Sequence, residues 1–226
     1  MDKNILAAMR DDWDRRARHN AKHYIESSRE SWDDREFFLS GEVHVANYVM
    51  RDMNRICGSS RSPLDLTILE IGCGVGRMTR TLSRIFGQLT AVDVSKEMID
   101  RASANLADVK NLTLAVCDGA TLTGIPDASH DFAFSFIVFQ HIPSLEVIRS
   151  YCGEVYRVLR PGSLFKFQVN GCLPASNDHH TADTWMGVPV SEEDARDLAR
   201  SAGFSHERTH GAGTQYFWLS FRKPWT

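Results

Sequence analysis

The chain has 226 residues, of which 42% are apolar and 24% charged. That length fits one large domain, and a chain of this size can bury roughly 70% of its unfolded surface without disulfides or metals. The composition excludes a disordered, collagen-like or disulfide-scaffold protein, and 26 Lys and Arg against 29 Asp and Glu give a charge of -3, with no global basic excess for holding DNA phosphates.

From Ile5 to Ile25 the large apolar residues are Ile5, Met9, Trp13, Ala17, Ala21 and Tyr24/Ile25. Their spacing of about four predicts an amphipathic helix. Arg10, Arg15, Arg18 and Lys22, mixed with Asp11, Asp12 and Asp14, read as its solvated face. A second helix is predicted over Glu42 to Cys57, on a stripe of Val43, Ala46, Val49, Met50, Met53 and Ile56. Gly58 to Pro63 then forms a loop.

After Pro63 the texture changes. Leu66 to Ile71 predicts a strand ending in a glycine cluster, and Val75 to Phe86 a helix. Strand Leu89 to Val94, helix Lys96 to Ala107 and strand Leu112 to Cys117 follow. Asp131 to Phe139 is too apolar to alternate and predicts a strand buried on both faces. Leu145 to Leu159 predicts a helix closed by Arg160-Pro161-Gly162, and Ser163 to Val169 another strand. Ser191 with Asp194 reads as a capping box opening a helix to about Ala202, which Gly203 ends. His206 to Thr209 and Gln215 to Phe221 predict two last strands. Such alternation means an α/β fold, a parallel sheet covered on both sides.

The five cysteines include no C-x-x-C pair, so free thiols in a reducing cytoplasm are expected. Met1 to Trp13 has no signal-peptide character. The longest near-apolar run, Phe132 to Phe139, falls well short of the roughly 20 residues that span a bilayer, so no membrane partner is expected.

The central motif is Glu70-Ile71-Gly72-Cys73-Gly74-Val75-Gly76-Arg77, between a strand and a helix, where a doubly wound sheet binds its ligand. Glycines let backbone pass close to a ligand, and a helix start offers free N–H groups. Alone, the glycines also fit an empty tight turn. Asp93 ends the next strand and can accept from two ribose hydroxyls. Asp118, followed by Gly119 and Ala120, ends the third, where a carboxylate can accept from an adenine amine. Singly, either acid fits loop capping equally well; three such features at consecutive strand ends point to adenosine. The dinucleotide fingerprint is G-x-G-x-x-G, whereas here it is G-x-G-x-G with Arg77 in the last place. This turns the reading from NAD to another adenosine cofactor.

On these residues the chain resembles the class I S-adenosylmethionine-dependent methyltransferases, from about Leu64 to Phe221. Leu69 to Arg77 resembles the family's first motif. Asp93 with Ser95, Met98 and Ile99 resembles the second, Asp118-Gly119 the adenine-side motif, and Asp131 to Ser135 with Phe139 to Ile142 the fourth-strand motif. Glu154 to Leu164 resembles the helix and turn before the fifth strand. The nearest flavour is the small-molecule branch that includes ubiquinone and sterol enzymes.

The resemblance implies a Rossmann-like, doubly wound, seven-stranded sheet, mostly parallel with an antiparallel last strand. Helices cover both faces, residues 1–62 form a helical cap, and residues 63–226 form the core. It implies S-adenosylmethionine as cofactor. Gly72, Cys73, Gly74 and Gly76 would face the methionine part and Glu70 order the loop. Arg77 stays open between the cofactor carboxylate and solvent. Asp93 would take the ribose, Val94 and Met98 the adenine's side (core packing fits Met98 equally), and Asp118 with Gly119 and Ala120 the adenine amine. Phe136 and Ile137 would lie near the methyl donor. His141 is the candidate general base or acceptor contact, with a loop-shaping role as its alternative, and Tyr24 a second candidate. The cap, with Trp13, Arg16, Tyr24, Trp32, Phe37 and Phe38, would close over the site.

The irregular stretch Asn170 to Val190 holds His179, His180, Asp183 and Trp185 on the acceptor side. Adjacent histidines rarely share one face, so no metal is expected. The Asn/Asp-Pro-Pro-Tyr/Phe motif of enzymes that methylate exocyclic amines is absent, Ser135 to Val138 standing in its place. Only Glu146 is near where a protein-arginine enzyme wants two glutamates. A small-molecule methyl acceptor is therefore expected, and no nucleic acid. The competing readings are a non-catalytic cofactor-binding protein and, less favoured by the glycine spacing, an NAD-dependent oxidoreductase.

Overall fold

A computed structural model describes residues 3–172 and 184–225. The strands are β1 (Thr67–Ile71), β2 (Gln88–Asp93), β3 (Leu112–Val116), β4 (His130–Ser135), β5 (Leu159–Val169), β6 (Ser205–His210) and β7 (Phe217–Arg222). The helices are α1 (Lys3–Ile25), α2 (Asp34–Tyr48), α3 (Met53–Cys57), α4 (Thr79–Ile85), α5 (Lys96–Asn105), α6 (Leu145–Val158) and α7 (Glu192–Ala202). The sheet order is β3-β2-β1-β4-β5-β7-β6. The pairs β1–β2, β2–β3 and β4–β5 are parallel, and β7 runs antiparallel to both β5 and β6. This is the Rossmann-like arrangement with an antiparallel last strand.

The described residues fall into two compact units, one within residues 10–117 and one from residue 118 on together with residues 3–9. The cap helices from Arg10 on and β1–β3 fall in one of these units. In that unit Ala17 and Ala21 of α1, Phe37 of α2, Val75 and Met98 share one buried cluster. Trp13, Ile25, Trp32 and Phe38 pack around it. Gly41 lets α2 lie directly on the chain at Arg77, since a Cβ there would stand 2.3 Å from the Arg77 carbonyl oxygen.

Several boundaries differ from those the sequence predicts, for local reasons. α1 kinks at Asn20 (φ -161°, ψ 79°), whose Oδ1 accepts from the His23 N–H and so caps a new turn. The second helix starts earlier than Glu42, because Asp33 caps it by accepting from the Arg35 and Glu36 N–H groups. It breaks after Tyr48 into a 3-10 turn (Met50–Asp52) and the short α3. The helix expected from Val75 begins only at Thr79, because Gly74 (φ +54°) and Gly76 (φ +91°) hold the preceding residues in turns. β4 stops at Ser135, ahead of Ile137 at φ +55°, a left-handed conformation that β-branched residues avoid. Over its observed length β4 is buried throughout, as a strand covered on both faces requires. β5 starts at Leu159, earlier than Ser163.

Candidate active site

The glycine turn is fastened to the end of β2. The Gly72 and Cys73 N–H groups both donate to the Val92 carbonyl, at 2.7 and 3.1 Å. The Asp93 carboxylate closes the arrangement: one oxygen accepts from the Gly74 N–H at 2.8 Å, the other from the Ser95 N–H at 2.9 Å. Asp93 is buried, and burial raises its pKa from 3.8 to about 6, against the lowering effect of those two bonds. Gly74 is confined by Ile25 of α1, whose Cδ1 lies 2.7 Å from where a Cβ would sit. Gly76 is confined in the same way by Leu106.

Glu70 lies buried under the turn and accepts from the Thr79 hydroxyl at 2.7 Å. Burial raises its pKa from 4.5 to about 7, with Thr79 and the Arg77 charge working the other way. Arg77 does not point to solvent. It is 3% exposed, and its Nη1 reaches Ser40 Oγ at 3.2 Å and His44 Nδ1 at 2.8 Å, with Glu26 Oε2 at 3.8 Å. Burial first, and the Arg77 charge second, lower the His44 pKa to about 4, so His44 is neutral and accepts from Arg77. Cys73 is a buried free thiol whose pKa burial raises well above 9.0. Met98 is buried in the cap cluster and Val94 half-buried. Tyr24, also half-buried, lies in α1 against the rings of His19 and His23, 6.0 and 5.2 Å away.

In the second unit Asp118 organises its own loop. Its carboxylate accepts from the Ala120 N–H at 2.9 Å, the Thr121 N–H at 2.6 Å and the Thr121 hydroxyl at 2.9 Å. Partial burial favours the neutral acid, but these bonds outweigh it and hold the carboxyl below its usual value. Gly119 takes φ +91°, and Ala120 is fully buried. Two residues of the Glu154–Leu164 motif clamp the chain beyond. Glu154 of α6 accepts from the Leu122 N–H at 2.8 Å, and Arg157 donates to the Leu122 and Ile125 carbonyls at 3.1 and 2.8 Å.

Phe136 stacks on Trp218 with centroids 5.2 Å apart, and the strained Ile137 donates its N–H to Gln168 Oε1 at 3.1 Å. Buried Gln168 in turn donates to Gln140 Oε1 at 2.8 Å and to the Gln215 carbonyl at 2.6 Å. This side-chain network was invisible in the sequence, where an isolated Gln carries no signal. His141 stands beside this network. The Trp185 carbonyl can only accept, so His141 Nδ1 carries the proton and donates to it, while Nε2 takes a bond from Gln140. Both ring nitrogens are thus engaged. His179, His180 and Asp183 lie outside the described residues. Among the described residues no three His, Cys, Asp or Glu side chains gather as a metal site, and no helix is long and apolar enough to cross a membrane.

A doubly wound sheet with a glycine turn after β1 and a buried acid after β2 defines a nucleotide-binding α/β protein. Comparison with known proteins narrows this. Residues 69–167 match a family model described as a methyltransferase domain. The chain is 30% identical over 145 residues to 2-methyl-6-phytyl-1,4-hydroquinone methyltransferase of Synechocystis, covering 57% of this chain and 44% of that protein. It is 30% identical over 199 residues to sterol methyltransferase-like 3 of Botryococcus braunii, covering 81% and 50%. The crystal structure of magnesium protoporphyrin IX methyltransferase from Synechocystis with bound S-adenosylmethionine shares the fold, with a TM-score of 0.65 at 17% identity over 99% of this chain and 98% of that one. The chain is thus similar to methyltransferases in sequence and shares the fold of S-adenosylmethionine-dependent ones. It spans about half the length of the curated relatives it matches.

Proposed function

We propose that the protein transfers a methyl group from S-adenosylmethionine to a small-molecule acceptor, giving S-adenosylhomocysteine. The observation that carries this reading is Asp93, whose carboxylate joins the glycine turn to the start of α5 and keeps further lone pairs for ribose hydroxyls. Gly72, Cys73, Gly74 and Gly76 present backbone to the methionine part, and Glu70 supplies a negative charge for its ammonium group. Arg77 acts from behind the turn, through α2. Val94 and Met98 flank the adenine, and Asp118, with Gly119 and Ala120, accepts from its amine.

When bound, the cofactor would supply an electrophilic sulfonium methyl, which an acceptor would take by in-line attack with the thioether sulfur of S-adenosylhomocysteine as leaving group. Much of the acceleration then comes from alignment of the reactants, which needs no side-chain base. Phe136 and Ile137 shape the methyl-donor end, Gln168 fixes the strained backbone there, and His141 holds the Trp185 segment in place. The described cysteines are free, which fits a reducing, cytoplasmic setting. Incubation with methyl-labelled S-adenosylmethionine and a panel of phenols, amines, thiols and activated carbon acids tests the proposal. Acceptor-dependent label transfer, lost in Asp93→Ala, is expected. Tight cofactor binding without transfer to any acceptor class would instead favour a non-catalytic binding protein.

A further inference from the structure

We infer that Asp14, on the cap helix α1, is the residue through which the cap positions the ribose-binding carboxylate, so that cap docking and ribose recognition are one event. The inference rests on the assignment of Asp93 to the ribose.

Sequence alone places Asp14 on a charged, solvated face. In the structure its Oδ1 accepts from the Ser95 hydroxyl at 2.5 Å and from the Glu97 N–H at 3.1 Å. Ser95 is fully buried, and every polar atom it offers at this turn is assigned. Its N–H donates to Asp93 at 2.9 Å, and its Oγ accepts from the Met98 N–H at 3.1 Å. Its hydroxyl proton therefore goes to Asp14. The opening turn of α5 is thus capped from two sides, by its own Ser95 and by a carboxylate from the cap. Arg18 holds Asp14 Oδ2 at 3.5 Å and Glu97 at 3.8 Å.

The same helix reaches the other contact of Asp93. Ile25 packs on Gly74, whose N–H is the second donor to that carboxylate. Between these two points Ala17 and Ala21 share a buried cluster with Val75 and Met98. Two of the N–H groups that orient Asp93, those of Ser95 and Gly74, therefore belong to residues contacted by α1. An undocked α1 leaves Ser95 without its hydroxyl acceptor and Gly74 without its cover. By linkage, a ligand engaging Asp93 favours the docked cap by the same factor that the docked cap favours the ligand. The cofactor then closes its own cap before an acceptor is committed. Asp14 is a positioning residue, since it acts on Asp93 through Ser95.

The test titrates the full chain calorimetrically with S-adenosylhomocysteine and with its 2′-deoxyribose analogue. In parallel, trypsin cleavage in α1 (after Arg15, Arg16 or Arg18) is followed with and without S-adenosylhomocysteine. The wild type is expected to prefer the ribose form and to be protected in α1 by it. In Asp14→Ala the Kd for S-adenosylhomocysteine rises about tenfold, equivalent to about 1.4 kcal/mol. The preference for the 2′-hydroxyl narrows and protection of α1 disappears. Asp14→Asn, whose amide oxygen accepts from the same two donors, restores all three. Ser95→Ala breaks the contact from the other side and gives the same losses, even if Asp14→Ala fails to fold. Wild-type affinity and ribose preference in Asp14→Ala would overturn the inference, as would equal losses in Asp14→Asn. A wild type that does not bind S-adenosylhomocysteine would overturn the cofactor assignment itself.

Discussion

Glu70 offers a perturbation whose sign runs against intuition: replacing it with Gln should stabilise the ligand-free protein at alkaline pH. The carboxyl is 4% exposed and its pKa is raised from 4.5 to about 7 by burial. In the unfolded chain it ionises near 4.5. Folding therefore carries no penalty from this group below about pH 4.5. The penalty grows as pH rises through the window from 4.5 to about 7 and is complete above it. Between pH 5 and pH 8 the change amounts to roughly 2–3 kcal/mol. The amide of the Glu70→Gln variant does not ionise, and its carbonyl can still accept from the Thr79 hydroxyl. Any fixed cost of the buried amide is the same at both pH values and cancels in the difference. The assay is urea unfolding of wild type and Glu70→Gln at pH 5 and pH 8, without cofactor. The variant should gain roughly 2–3 kcal/mol on the wild type between the two pH values, or roughly 4–12 °C in melting temperature. A cation bound beside Glu70 favours its ionised form, so saturating S-adenosylmethionine should shrink the gain. Equal effects of the substitution at pH 5 and pH 8 would refute the reasoning.

Arg157→Ala removes the bonds to the Leu122 and Ile125 carbonyls and takes from Glu154 its cationic partner, leaving it the Leu122 N–H, so a loss of ~2 kcal/mol in urea unfolding is expected. The same variant should discriminate less well than wild type between S-adenosylhomocysteine and its inosine analogue, because the Asp118 loop is no longer held. Gly41→Ala puts a Cβ 2.3 Å from the Arg77 carbonyl oxygen, a rigid backbone atom. It should lift α2 and cost ~1–3 kcal/mol of stability, read by thermal melting. His141→Ala should leave S-adenosylhomocysteine affinity within about twofold while cutting acceptor-dependent turnover about tenfold or more, because its ring ties the turn Phe139–His141 to the Trp185 segment. An equal fall in both quantities would contradict that role.

The parts of the site legible in the sequence are those where a backbone conformation or a strand end demands a residue type. Gly74 and Gly76 need positive φ, and Asp93 stands where β2 ends beside them, so spacing alone exposed them. The alternation of strands and helices gave the sheet, because each buried strand is a dense apolar run. What stayed hidden depends on tertiary partners. Asp14 differs in no local respect from Asp11 and Asp12, and only the docking of α1 beside Ser95 distinguishes it. Arg77 stayed open between the cofactor carboxylate and solvent because Ser40 and His44, which surround it, lie more than thirty residues away in the chain. Gln168 and Gln140 gain meaning only when β5 and the turn after β4 bring their amides together. Helix limits failed where a turn took residues that a helical pattern also fits, as at Val75 to Met78 before α4.

Titration of the wild type and Asp93→Ala with S-adenosylhomocysteine and with NAD tests the central claim most directly. The account predicts saturable binding of S-adenosylhomocysteine to the wild type, a loss of at least tenfold in affinity in Asp93→Ala, and no saturable binding of NAD. Tighter binding of NAD, or S-adenosylhomocysteine affinity indifferent to Asp93, would contradict it.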